Sequence, residues 1–391
     1  MTWTSICMVA IGALAVLLAL GLLYSRRAYP NPIVEDELPP GVAIGIRQQL
    51  DRRDAGAFRV VFVHGMGTHL PDYASTWVAE SLAPKLGLRR IAERPEIVPI
   101  AISGVPPYAQ PQLTLYRYAA RDELSGRDVD FRFAAITWSP LTTNYKLRLM
   151  DEEDQVRRAR LNRLVKAELL DGALADAVLY VGKYREFLNA AVTVGLCRAY
   201  SRNPASPCTW SDVDLRDTRL AFITHSLGSR MLSDALIDLI KHNAQAEQRL
   251  LPALNYGSSF FMFANQIPLL RLGDEDDPPP KPGQDTPLKP IGIRGLGQAL
   301  QQCRLKRGES GAEPVNVVAF SDPNDVLSYR VPSGVNYSTA GALRFINVRV
   351  SNATTWLGLL ESPLSAHNGY QANSKVWDVV TRGLPQGPPQ H

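Results

Sequence analysis

Leu220-Ala221-Phe222-Ile223-Thr224-His225-Ser226-Leu227-Gly228-Ser229 is an apolar run that stops at Thr-His-Ser-Leu-Gly and passes at once into a long amphipathic segment. That order predicts a buried strand, a tight turn and a helix, with Ser226 at the apex. A serine so placed projects its hydroxyl from the N-terminal end of a helix, where unbonded amides stabilise negative charge. Beyond it, Met231, Leu232, Ala235, Leu236, Leu239 and Ile240 recur at helical spacing, with Ser233, Asp234, Asp238 and Lys241 on the opposite side.

Toward the N-terminus, the first strong strand is Arg59-Val60-Val61-Phe62-Val63, too apolar for a half-exposed edge and therefore a buried parallel strand. It ends in His64-Gly65-Met66-Gly67-Thr68-His69. A helix is expected over residues 73–86, with Trp77, Val78, Leu82 and Leu86 on one face, and a strand over 131–138. Leu161, Leu164, Val165 and Leu169 form an apolar stripe among Arg157, Arg158, Arg160, Arg163 and Lys166. It reads either as a solvated helix packed on the domain or as a basic face for anionic lipid headgroups. A second helix is expected over 173–198, broken by Pro204 and Pro207. These helices make residues 140–217 an insertion that caps the site.

Toward the C-terminus, strands are expected over 256–264, 315–320 and 343–350. Residues 273–295 are acidic and then Pro-rich, a mobile surface excursion. Ser321-Asp322-Pro323-Asn324-Asp325 follows the strand at 315–320, and His367 lies in the loop after the last strand. A terminal helix is expected over 371–381, and residues 384–391 form a disordered tail. There is no internal repeat. Strands alternating with helices predict an α/β fold, a mostly parallel central sheet covered by helices on both faces. Function in such sheets gathers at the carboxyl ends of the strands.

The first 25 residues carry no charged side chain, and residues 6–23 are almost wholly apolar. The length suits a single membrane-spanning helix. A cleaved signal peptide would open with Lys or Arg and close on small residues, whereas this run closes on Tyr24-Ser25-Arg26-Arg27. Residues 26–54, with Pro30, Pro32, Pro39 and Pro40, read as a linker or a surface-hugging arm, and 55–383 as the folded domain. Arg26 and Arg27 favour a cytoplasmic domain by the positive-inside bias. A disulfide between Cys197 and Cys208 would point to the other side, and two free thiols are the alternative.

Of 391 residues, 45% are hydrophobic and 20% charged, an ordinary globular balance. A formal charge of +4 gives a nucleic-acid role no electrostatic support. No Cys/His cluster has metal-ligand spacing.

A serine nucleophile needs a base, and the base an orienting acid. Among six histidines, His64 and His69 belong to the turn after the first strand, and His225 is locked beside Ser226. His242 lies several turns down the helix and His391 on the tail, which leaves His367 as base. Asp325 is the preferred acid because Asp-Val-Leu continues into an apolar segment; Asp322 is the alternative. The amide of Leu227 supplies one oxyanion donor and the amide of Met66, in the Gly-rich loop, the second.

The chain resembles the α/β-hydrolase-fold serine hydrolases of the lipase and esterase type. His64-Gly65-Met66-Gly67 is similar to that family's oxyanion loop, and Thr224-His225-Ser226-Leu227-Gly228 to its nucleophile elbow. Asn324-Asp325-Val326 matches the acid turn, and Ala366-His367-Asn368-Gly369-Tyr370 the base loop. Thr224 departs from the pattern, which has glycine there. The resemblance implies cleavage of a carboxylic ester, of a lipid or another acyl group, through an acyl-enzyme, with no metal or organic cofactor. An acyltransferase, thioesterase or amidase would use the same triad. A membrane-tethered binding protein that has lost catalysis is the reading from another class.

Overall fold

The computed structural model describes residues 3–23, 25–36, 44–51, 56–74, 80–121, 126–153, 166–270, 292–309, 311–331, 341–356 and 360–384, with isolated positions between them. Ten strands form one sheet: Ile33–Val34 (β1), Ala57–Val63 (β2), Arg89–Arg90 (β3), Glu96–Pro99 (β4), Gln112–Arg121 (β5), Asp128–Thr137 (β6), Thr218–His225 (β7), Ser259–Phe263 (β8), Val315–Ser321 (β9) and Leu343–Arg349 (β10). Their order is β1-β10-β9-β8-β7-β2-β6-β5-β3, with β4 also on β5. From β10 to β6 every pair is parallel. Antiparallel strands close both edges. The fold is α/β, a mixed and mostly parallel sheet flanked by helices.

Alternation along the central strands sends side chains to opposite faces. Val61, Val63, Leu220 and Phe222 pack with the helices Arg185–Tyr200, Leu227–His242, Ala244–Leu254 and Ile293–Arg307. Val60, Phe62, Ala221 and Ile223 pack with Ile46–Leu50, Glu80–Leu86 and Ser374–Arg382. Both faces are covered.

From β2 the chain crosses to the far edge at β3 and works back through β4 and β5 to β6 beside β2, then passes to the other side of β2 to place β7 and proceeds away to β10. The connections after β2 and β7 therefore leave in opposite directions, which makes the carboxyl ends of these two strands a topological switch point, the place where such sheets bind ligands. Val63 is level with Thr224. His64-Gly65 and His225-Ser226 thus leave the sheet together.

Several elements depart from the sequence expectation. Residues 26–54 hold β1, paired with β10, and a short helix whose Ile46 and Leu50 are buried. The strand β5 and the helix Ile293–Arg307 are additional to those expected. Expected helix 173–198 is interrupted at 182–184 and begins as a π-helical stretch, Lys166–Leu174. Trp77, Val78, most of the stripe around Leu161, Leu164 and Val165, the Pro-rich residues 273–291 and the tail 385–391 lie outside the described residues, as does the side chain of Leu169.

Among the described residues no helix is long and apolar enough to cross a membrane. Trp3–Leu23 comes nearest. Its 21 residues rise about 31 Å at ~1.5 Å each, close to the hydrocarbon thickness, but the side chains at its two ends lie outside the described residues. Cys197 and Cys208 are joined as a disulfide, with Cα atoms 5.9 Å apart.

Candidate active site

Ser226 sits between β7 and the helix Leu227–His242 with φ 53° and ψ −124°, positive φ at a residue that has a side chain. That conformation costs on the order of 1–3 kcal/mol and persists only where surroundings enforce it. They do so here: the Ser226 amide donates to the Phe263 carbonyl at 2.8 Å. Gly228 lies so close to β2 that an added Cβ would stand 2.6 Å from His64 O and nearer still to Val63 O. A Cβ on Gly65 would stand 2.7 Å from that of Ser226, so the loop after β2 lies directly against the elbow.

Thr224, where the pattern that the sequence resembles has glycine, is fully buried. Its hydroxyl lies 2.8 Å from the Ser229 hydroxyl, within one hydrogen bond. The extra side chain is accommodated because both hydroxyls gain a partner inside the elbow.

His367 lies on a short helix, Pro363–Asn368, capped by the Ser362 side chain. Its Nδ1 is 2.9 Å from Asp325 Oδ1, which also accepts from the Leu327 amide at 3.0 Å. Tyr370 Oη donates to Asp325 Oδ2 at 3.1 Å. Asp322 is turned elsewhere. Its Oδ2 accepts from the Asn352 amide at 2.6 Å and its Oδ1 from the Asn324 amide at 2.9 Å. Asn352 Nδ2 in turn donates to Ala366 O at 2.8 Å, so Asp322 braces the helix that carries His367. Burial raises the Asp322 carboxyl above its usual range against the pull of these two amides.

His225 is buried, and burial with the neighbouring His367 lowers it to about 3. As a neutral ring it donates from Nε2 to the His367 carbonyl at 3.0 Å. His64 is also neutral: burial and then His69 hold it well below its ordinary range. Its Nε2 accepts from the Trp138 amide at 3.1 Å, so Nδ1 carries the proton that goes to Gly65 O at 2.7 Å. Burial lowers His69 to about 4. Among the described histidines, His367 alone has a carboxylate within hydrogen-bond distance of its ring.

The structure thus brings Asp325 to His367 and sets the loop after β2 against Ser226. Ser226 Oγ itself is buried and has no hydrogen-bond partner among the described residues; nucleophile–base bonds commonly tighten only with substrate present. The amides of Met66 and Leu227 donate to no backbone acceptor among the described residues. Leu227 opens a 16-residue helix, whose dipole adds to an anion-stabilising end. Among the described residues no cluster could hold a metal ion.

Tyr370, Asn352 and the pair Lys146–Asp176 are site neighbours that sequence reasoning did not single out. Asp176 Oδ2 accepts from the Gly67 amide at 2.8 Å and from Lys146 Nζ at 3.0 Å. Comparison with family models, curated proteins and solved structures finds no match.

Proposed function

We propose that this chain is a serine hydrolase of the α/β-hydrolase type that cleaves a carboxylic ester through an acyl-enzyme. The backbone of Ser226, held at φ 53° at a helix N-terminus, carries the reading. Asp217 and Ala264 share this positive φ, but only at Ser226 does it coincide with a helix N-terminus packed against the loop after β2, and strain of this kind gathers at active sites. In the proposed reaction Ser226 Oγ attacks the ester carbonyl while His367 Nε2 takes its proton. Asp325, on Nδ1, fixes the imidazole and balances its charge. The amides of Met66 and Leu227 receive the oxyanion. The imidazolium then protonates the departing alcohol, and water repeats the sequence to release the acid.

The substrate class we propose is a lipid or other acyl ester. Tyr145, Leu147, Leu170, Leu174, Val178 and Val181 of the insertion are exposed, and an apolar surface of this kind suits an acyl substrate. The helix Trp3–Leu23 would tether the domain to a membrane. The Cys197–Cys208 bond favours an oxidising compartment for the domain, opposite to the side that Arg26 and Arg27 alone favour.

A fluorophosphonate probe tests the reading. The wild type should be labelled and Ser226→Ala should not. An unlabelled wild type, or equal labelling of the two, would sink it.

A further inference from the structure

Asp176 lies in the first turn of the helix Ala175–Val181, and Lys146 lies on the helix Pro140–Glu153. Both belong to the insertion ahead of β7. Their side chains retain 0% and 3% exposure, yet the carboxylate is aimed at one amide of the loop after β2. Gly67, which owns that amide, stands at φ +106°. The same peptide is held from its other end: His69, neutral by burial, places Nε2 3.3 Å from Met66 O. Gly65, on the far side of Met66, is packed against Ser226. Met66 therefore lies between two fixed neighbours.

From this geometry we propose that Asp176, backed by Lys146, is a positioning residue that clamps the Met66–Gly67 peptide and so aims the Met66 amide at the oxyanion. The proposal rests on the serine-hydrolase reading and adds that the insertion helps to build the site as well as cover it. An apolar pair of similar volume would serve stability as well as a buried ion pair. Only an acceptor, however, can hold the Gly67 amide. An oxyanion donor displaced by a fraction of an ångström loses much of its effect, because the interaction must form in the transition state.

The test compares two charge-neutral double variants of the whole chain. Lys146→Met with Asp176→Asn keeps an acceptor for Gly67, and Lys146→Met with Asp176→Leu removes it. Fluorophosphonate labelling rates, and kcat and KM on p-nitrophenyl butyrate, are read well below each melting temperature. The leucine variant should lose about 10- to 100-fold in kcat and labelling, with KM within about threefold. The asparagine variant should stay within about threefold of wild type. A role confined to stability would move melting and leave these rates equal.

Equal rates in a background where the wild type labels would overturn the clamp and leave the hydrolase reading standing. An unlabelled wild type would overturn both. If the leucine variant does not fold, hydrogen exchange of the wild type decides. A Gly67 amide as protected as those of Val61 and Phe62 supports the clamp, and free exchange at Gly67 overturns it.

Discussion

His367 Nδ1 lies 2.9 Å from Asp325 Oδ1, whereas Asp322, three residues earlier, gives its carboxylate to the amides of Asn352 and Asn324. The two acids after β9 therefore differ in placement: Asp325 bonds the ring of His367, the base in the proposed reaction, and Asp322 braces the segment that carries it. Asp325→Asn should lower kcat by about 10⁴-fold, because the amide disfavours the tautomer that accepts the Ser226 proton. Asp322→Asn retains one acceptor oxygen and should cost at most about tenfold, together with a lower melting temperature. Ester turnover and thermal melting of both variants check this. A larger activity loss in Asp322→Asn would reverse the assignment.

Thr224 bears on stability more than on chemistry. Thr224→Gly installs the glycine of the elbow pattern that the sequence resembles, but it strips the Ser229 hydroxyl of its partner and adds backbone freedom within β7. The expected cost is on the order of 1–2 kcal/mol, seen as a lower melting temperature, with no gain in kcat. Thr224→Ser keeps the hydroxyl and should lie between wild type and the glycine variant. Equal stability of all three would show that the hydroxyl pair contributes nothing.

Acid should destabilise the domain through its buried neutral histidines. His225 is lowered to about 3 and His69 to about 4, and His64 also lies well below its ordinary 6.5. Between those values and 6.5 the unfolded chain binds protons that the folded one refuses. Their stabilising contribution is thus complete above about pH 6.5 and is lost as pH falls toward the folded values. Each group adds a slope of up to about 1.4 kcal/mol per pH unit in that window. Denaturant unfolding of wild type and His225→Gln across pH 7 to 5 measures it. The variant should show the shallower dependence, and identical slopes would remove His225 from the account.

The strand–turn–helix around Ser226 was legible because Leu220 to Thr224 is apolar and the next residues turn to helical spacing within a single step. Asp325 was legible because it follows the short apolar run at 315–320, and His367 because elimination among six histidines leaves it after the last strand. Less could be read where information is non-local. The Gly67–Asp176 contact joins residues 109 positions apart, and nothing in either neighbourhood marks the pairing. The helix Ile293–Arg307 follows a long polar and Pro-rich run, which masked the apolar spacing of Leu296, Ala299, Leu300 and Cys303. The sequence favours Asp325 over Asp322 for the apolar Val326 and Leu327 that follow it, yet Val326 is 66% exposed. What fixes the Asp325 carboxylate is the Leu327 amide and the Tyr370 hydroxyl, and the latter's place is set only by the fold.

The Cys197–Cys208 bond makes a prediction about both stability and place. It ties the end of the helix Arg185–Tyr200 to the segment that leads into β7, across a sequence separation of 11. In the chain-entropy account, closing a loop of that size stabilises the fold by about 3 kcal/mol. Reduction, or Cys197→Ser with Cys208→Ser, should therefore lower the melting temperature by on the order of 5 °C. Cys303 and Cys7 are not disulfide-bonded, so replacing them should leave that effect unchanged. A bond of this kind persists where glutathione does not keep thiols reduced. A reporter fused after His391 should accordingly be active on the oxidising side of the membrane, and thiol-blocking of freshly made protein should find Cys197 and Cys208 already protected. A cytoplasmic reporter with both thiols modifiable would restore the side expected from Arg26 and Arg27.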